Sequence, residues 1–250
     1  MKIEIPSYVE KRLRQPMPDN HFIVKNSTPV LSFGDSRTAH VATLGLNPSR
    51  IEFLDKKGEE LVGPNRRLET LTSLQVPSLS DASIEVLEKV VEGCHRYFLR
   101  QPYWKWFGQL EPILQLLGTS YKTGTACHLD LVQWATDPVW GKIPDPVIRK
   151  KLITADANFL REQLISNSIG LLLLNGSSVI NIVQKTFGLV LHRHPKTLVS
   201  RSAKTDILVG SGPLGIPVIG WTVNIQSSFG VTNELRQSLA DEVSTVRANL

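Results

Sequence analysis

Continuously apolar stretches alternate along this chain with stretches whose apolar residues recur every three or four positions. The run IGLLLLNG (169–176) has no polar residue before Asn175, a pattern typical of a strand buried on both faces of a parallel sheet. Strand-like runs also occur at TPVLSFGD (28–35), HVATLGL (40–46), GTACHLDLV (124–132) and IPVIGW (216–221). Strands that alternate with helices predict an α/β fold with a mostly parallel central sheet.

Helical spacing of apolar residues predicts the helices between these strands. Asp145 followed by Pro146 begins one helix, which we expect to end near Ile165. Another begins at an Asp81 cap and has Ile84 and Leu87 on its apolar face. The remaining helices are expected at 103–117, with a kink at Pro112, at 177–187, and from a cap at Thr232 or Asn233 through Leu235, Leu239, Val243 and Val246.

Composition and charge add a preference for an anionic partner. The 250 residues have a net charge of +5 and a pI of about 9.2, which favours nucleic acid. We expect residues 1–28 to form a basic arm and residues 29–250 a single domain. Cys94 and Cys127 are far apart, which predicts two buried thiols in a reducing compartment rather than a disulfide scaffold. Because no signal peptide or membrane-length apolar run is present, we expect a cytoplasmic protein without membrane contact.

Polar residues follow four of the predicted strands at the point where each strand ends. The sequences are GLNPS (45–49), HLD (128–130), LLNGSS (173–178) and GWTVNIQSS (220–228). Each is an ordinary turn sequence when taken alone. Because the carboxyl ends of parallel strands meet at one edge of a sheet, where α/β proteins bind ligands, we expect these residues to line one crevice.

These four segments resemble the active-site motifs of the uracil-DNA glycosylase superfamily. GLNPS resembles the first motif in its Gly-x-Asn-Pro form, and ACHLDLV (126–132) resembles the strand that supplies the base-recognising amide. IGLLLLNGSSVI (169–180) is similar to the hydrophobic strand and helix that follow, and IGWTVNIQSSFG (219–230) lies where a His-Pro-Ser motif is usual. The resemblance covers about residues 30–245 and implies a three-layer α/β/α fold and hydrolysis of an N-glycosidic bond in DNA.

The resemblance implies a catalytic role for residues at the first and last segments. Asn47 would position the attacking water through its carbonyl oxygen. The last segment lacks the usual His, so Trp221 or Asn224 would donate a hydrogen bond to the departing base. No lysine lies within the motifs, so we expect plain hydrolysis rather than a Schiff-base lyase.

Base recognition is where the sequence departs furthest from this superfamily. Asp130 stands where the superfamily usually has Asn, and an ionised carboxylate only accepts hydrogen bonds. It would favour the exocyclic amine of a cytosine-like base over uracil, whereas a protonated Asp130 would still donate to a carbonyl. Phe53 is expected to stack on the flipped base, beside the backbone of Gly45 and Leu46.

The remaining expectations concern DNA backbone, cofactors and partners. The residues expected to contact DNA phosphates are Ser49, Ser177, Gln226, Ser227 and Ser228. We expect no cofactor and no metal, since two cysteines are too few for an iron-sulfur cluster, and we expect a monomer that binds DNA. Two rivals stay open, which are a uracil glycosylase with rewired contacts and an inactive nucleic-acid-binding module. A role in repair and one in defence against modified foreign DNA also stay open.

Overall fold

The computed structural model describes residues 4–19, 22–201, 203–226 and 230–250. Six strands of this part of the chain form one sheet in the order β2-β1-β3-β6-β5-β4, which confirms the predicted α/β class. The strands are β1 (Val41–Gly45), β2 (Ala126–Asp130), β3 (Leu171–Asn175), β4 (Leu191–Val199), β5 (Lys204–Ser211) and β6 (Pro217–Trp221).

The central strands β1, β3 and β6 are parallel, and their side chains are buried. Leu171 to Leu174 of β3 pair with Val41 to Leu44 on one side, and Leu172 to Asn175 pair with Val218 to Trp221 on the other. All four leucines of β3 are buried. A strand with parallel neighbours on both edges and with both faces covered needs apolar residues at every position. This is why the apolar run of β3 predicts a strand from the sequence alone.

Strands β4 and β5 form an antiparallel extension that the hydrophobic pattern does not predict. β5 pairs antiparallel with β6, and β4 pairs antiparallel with β5 and ends the sheet. Only Leu191 and Leu198 of β4 are buried, so the strand lacks an apolar run. Its register shifts between Arg193 and Thr197, around Pro195, at a sheet edge where a missing backbone N–H is tolerated.

Four of the five predicted helices are present in the described chain. They are α1 (Ser7–Leu13), α2 (Leu71–Leu74), α3 (Ile84–His95), α4 (Trp104–Phe107), α5 (Glu111–Leu116), α6 (Pro146–Ser166), α7 (Ser177–Phe187) and α8 (Asn233–Ala248). The side chain of Thr232 caps α8 by accepting from Leu235 N, as predicted. α3 follows Ser83 instead of the predicted cap at Asp81.

Two predicted elements are wrong. The stretch predicted as one helix at 103–117 is divided into α4 and α5, and Pro112 lies in the first turn of α5, where its missing N–H is harmless. Residues 28–35 form no strand. Val30 N donates to Gln133 O at 2.7 Å, but Gln133 lies in the irregular chain after β2, so no ladder continues.

The described chain divides into two compact units. The first unit comprises residues 1–35, 46–102 and 129–163, and the second comprises 36–45, 103–128 and 164–250, which hold most of the sheet. The first unit includes α1 and the buried side chains of Leu13 and Val24, so the segment predicted as an arm includes packed residues. The predicted boundary at residue 28 stays a prediction.

Candidate functional site

The chain that leaves β1 runs beside the chain that leaves β2, and both stretches belong to the first unit. Val132 N donates to Leu46 O at 2.9 Å, and Ser49 forms a parallel bridge with Thr136. Gly45 and Leu46, predicted to contact the base, are half-buried at this exit. The pairing therefore fixes the backbone on both sides of Asn47, which is itself half-buried.

The side-chain amide of Asn47 has a defined orientation. Its Nδ2 donates to Pro48 O at 2.9 Å, to Thr136 Oγ1 at 3.0 Å and, more weakly, to Trp134 O at 3.3 Å. Two backbone carbonyls can only accept, so the nitrogen and not the oxygen must face them. Asn47 Oδ1 accepts no hydrogen bond from any residue that the structure describes, so it is left for a water molecule or a ligand.

Ser49 and Phe53, which follow Asn47, have structural contacts. Ser49 Oγ accepts from Ile51 N at 3.5 Å and caps a short 3-10 helix at Arg50–Glu52. Arg50 forms an ion pair of 2.8 Å with Asp137. Phe53 is only 1% exposed, and a ring that stacks on a base needs an open face. Phe53 thus has no open face for a base in this structure, and its predicted stacking role stays a prediction.

A buried carboxyl group, Glu52, lies in the same turn and was missed by the sequence analysis. Tyr97 donates its hydroxyl to Glu52 Oε2 at 2.6 Å. Burial raises the pKa of Glu52 to about 7, the Tyr97 hydrogen bond and the charge of Arg67 lower it, and the charge of Asp130 raises it. The only sequence signal is an acidic residue between two apolar ones, Ile51 and Phe53, close to a polar strand exit.

Asp130 lies near enough to Glu52 for its charge to affect the pKa of that group. Asp130 is 4% exposed, and its backbone carbonyl accepts from Gln133 Nε2 at 2.8 Å. Its carboxylate is thus nearly closed off from solvent, and its part in base recognition stays a prediction.

A buried ionic network holds the chain that follows Asp130. Arg12 of α1 and Asp156 of α6 form an ion pair of 3.0 Å in which both side chains are buried. Asp156 Oδ2 accepts from Gln133 N at 2.8 Å, and Arg12 Nε donates to Gln133 Oε1 at 3.2 Å. Gln133 in turn binds the backbone of Asp130, so the ion pair stabilises this strand exit through one glutamine.

The second unit has a different polar network where β3 and β6 end. Asn175 Oδ1 accepts from Trp221 Nε1 at 2.8 Å and from Ile225 N at 3.1 Å. Asn175 Nδ2 donates to Asn224 Oδ1 at 2.9 Å and to Gln226 Oε1 at 2.7 Å. All four side chains are neutral, and Asn175 has a hydrogen bond at every available position.

This network corrects two of the predicted roles. Trp221 is 0% exposed and gives its indole N–H to Asn175, so it is not the donor to a departing base. Gln226 accepts from Asn175 and donates through Nε2 to Trp106 O at 3.2 Å, so its amide is engaged within the protein and not held ready for a phosphate. Asn224 is exposed and retains the predicted catalytic role as a proposal.

The predicted phosphate contacts at serines have mixed outcomes. Ser177 is exposed at the start of α7, and its Oγ donates to Thr222 O at 2.9 Å. Ser227 and Ser228 lie outside the described residues. Phosphate binding by any of these serines stays a prediction.

Other features of the described chain bear on ligands. Within residues 4–19, 22–201, 203–226 and 230–250, no group of three or more His, Cys, Asp or Glu side chains is arranged to hold a metal ion. No helix in that part of the chain is long and apolar enough to cross a membrane. A groove of about 310 Å³ lies in the first unit between α1 and α6, and none of the predicted site residues lines it.

Comparisons with known proteins give no family for this chain. No protein-family model matches it, and neither does any curated protein sequence.

Proposed function

We propose that this protein is a monofunctional DNA glycosylase that hydrolyses the N-glycosidic bond of a flipped, non-standard base. Water attacks C1′ of the sugar, the bond from C1′ to the base nitrogen breaks, and the products are the free base and an abasic site. The transition state has oxocarbenium character on the sugar and negative charge on the base. An enzyme therefore needs an acceptor that positions the water and donors that face the leaving base.

The observation that carries this proposal is the orientation of Asn47. Its amide nitrogen is bound to Pro48 O and Thr136 Oγ1, and its oxygen accepts nothing from the described residues. A neutral amide is a weak base, so its contribution is to hold a water by one hydrogen bond while the nitrogen side is anchored. This is the role that the resemblance of GLNPS to the superfamily motif implies.

The base-recognition part of the proposal involves Asp130 and Glu52. Burial is the main cause that raises the pKa of Glu52 to about 7, and the charge of Asp130 adds a smaller effect in the same direction. A protonated Glu52 would offer a donor and the carboxyl oxygens of Asp130 would offer acceptors, which together suit the edge of a cytosine-like base. We assign base selection to Asp130 together with Glu52.

The test is base release from oligonucleotides that contain uracil, hypoxanthine or one of several 5-modified cytosines, in single and double strands. We expect the wild-type protein to release at least one base and Asn47→Ala to be slower by about 100-fold. Asn65→Ala changes an exposed asparagine of the first unit and serves as the matched control. Thermal unfolding and DNA affinity of both variants separate lost chemistry from lost structure.

Two results would overturn the proposal. The first is the absence of base release from every substrate by the wild-type protein, and the second is an Asn47→Ala variant as active as wild type. DNA binding without base release favours the second candidate, an inactive nucleic-acid-binding module. The burial of Phe53 and of the Trp221 indole favours that candidate, because both side chains are withheld from a ligand.

A further inference from the structure

The orientation of Asn175 is fixed by two groups that can only donate. The Trp221 indole N–H and the Ile225 backbone N–H meet the same atom of the Asn175 amide, at 2.8 Å and 3.1 Å. Neither group has an acceptor form, so this atom must be the oxygen. The usual ambiguity between amide oxygen and nitrogen is thereby removed for Asn175.

The orientation of Asn175 then fixes that of Asn224. Because Asn175 Nδ2 can only donate, the atoms of Asn224 and Gln226 that meet it must be oxygens, at 2.9 Å and 2.7 Å. Gln226 N donates to the same Asn224 oxygen at 3.0 Å. Asn224 Nδ2 therefore points away from the network, and it donates to no residue that the structure describes.

Buried residues lie behind this amide. Asn175 and Trp221 are buried, whereas Asn224 is exposed. Gly176 has φ +97°, and a Cβ at that position would stand 3.3 Å from Asn224 Cβ, so the backbone approaches Asn224 closely from behind. A buried network centred on Asn175 thus ends at the side-chain amide of an exposed residue.

We propose that Asn175 is a positioning residue that holds Asn224 with its N–H₂ group turned outward, as a hydrogen-bond donor to the leaving base. The inference rests on the proposed function, and it names the donor that replaces the missing motif His. A neutral donor that is already oriented stabilises negative charge as it develops on the base, without reorganisation during the reaction.

The variant Asn175→Asp tests this inference with almost no change in shape. The new carboxylate still accepts from Trp221 and Ile225, but it cannot donate to Asn224. We expect Asn224 to rotate and donate to the carboxylate, which turns its oxygen outward. Single-turnover base release should fall by about 100-fold while DNA affinity changes by less than about two-fold. Asn181→Asp introduces a carboxylate on an exposed face of α7 and should have no such effect.

Two kinetic readouts distinguish positioning from a general structural role. The Asn175→Asp variant should regain activity as pH falls, because the protonated carboxyl can donate to Asn224 again. Adding Asn224→Ala to Asn175→Asp should cause little further loss, since both changes remove the same donor. A fully active Asn175→Asp variant, or a pH profile identical to that of wild type, would overturn the inference.

A spectroscopic measurement on the wild-type protein needs neither activity nor a folded variant. Hydrogen exchange of side-chain amides by NMR should show slow exchange for Asn175 N–H₂ and fast exchange for Asn224 N–H₂. The reverse order would refute the inference even if base release is found. Absence of base release from every substrate would instead count against the proposed function, while the exchange rates still decide the orientation of Asn224.

Discussion

The two units of this protein stabilise their polar interiors by opposite means. In the first unit the buried network is ionic, and it consists of the Arg12–Asp156 pair with Gln133 between that pair and the strand exit. In the second unit the network consists of neutral amides and one indole, centred on Asn175. Both networks adjoin a strand end that carries a proposed functional residue.

The difference lies in what each network controls. Burial lowers the pKa of Arg12 and raises that of Asp156, and the attraction between the two charges opposes both effects. In such a network each buried charge has a large electrostatic free energy. The stability of the unit therefore changes strongly when one partner is lost or when pH changes the charge of either group. The amide network has no net charge, and its effect is on the orientation of side chains. Each donor and acceptor in it fixes the orientation of the next amide.

The largest expected effect follows from removing one ion of the first network. Arg12→Met leaves the carboxylate of Asp156 buried without its counter-ion, and we expect the free energy of unfolding to fall by about 3–5 kcal/mol. Denaturant unfolding measures this change. The double variant Arg12→Met, Asp156→Leu removes both charges and should recover much of the loss. A single variant within about 1 kcal/mol of wild type would show that the pair is not the ionic centre of this unit.

A smaller, pH-dependent effect is expected at Glu52. Its folded pKa is about 7 against an ordinary value of 4.5, so between these values the folded state keeps a proton that the unfolded state loses. Stability therefore falls as pH rises through this window, by a contribution on the order of 3 kcal/mol that is fully lost above the folded pKa. Glu52→Gln cannot ionise and should remove this contribution.

Denaturant unfolding at pH 5 and pH 8 tests the effect at Glu52. We expect the loss of stability between the two pH values to be smaller in Glu52→Gln than in wild type. Glu59→Gln changes an exposed carboxyl of the same segment and should keep the wild-type pH dependence. Equal pH dependence in all three proteins would contradict a buried, proton-holding Glu52.

The fold could be predicted from sequence where burial is complete and not where it is partial. The leucines of β3 are apolar at every position because both faces of that strand are covered. β4 has a polar and basic sequence with only Leu191 and Leu198 buried, so no apolar pattern marks it as a strand. Residues 28–34 show the converse, since they are buried and include Val30, Leu31 and Phe33 but pair with irregular chain.

The polar strand ends were predictable from the sequence, whereas the surroundings of their side chains were not. In the structure Asn47 lies shortly after β1, and residues 222–226 follow β6, so these polar segments lie at strand ends as predicted. The sequence does not indicate whether the ring of an aromatic residue near a strand end is exposed. The rings of Phe53 and Trp221 are both buried. Glu52 was missed because its burial and its hydrogen bond to Tyr97 depend on residues distant in sequence.

The smallest effect on stability is expected at the exposed end of the amide network. Asn224→Ala removes one acceptor of Asn175 Nδ2, which keeps its bond to Gln226, and water can replace the rest because residue 224 is exposed. We expect a loss below about 1 kcal/mol in denaturant unfolding, several-fold less than for Arg12→Met. Base release by the same variant should nevertheless fall by about 100-fold, since the outward donor is lost. A loss of stability above about 2 kcal/mol would mean that Asn224 supports the network structurally. The amide network would then stabilise its unit as the ionic network does, and the contrast between the two networks would not hold at this residue.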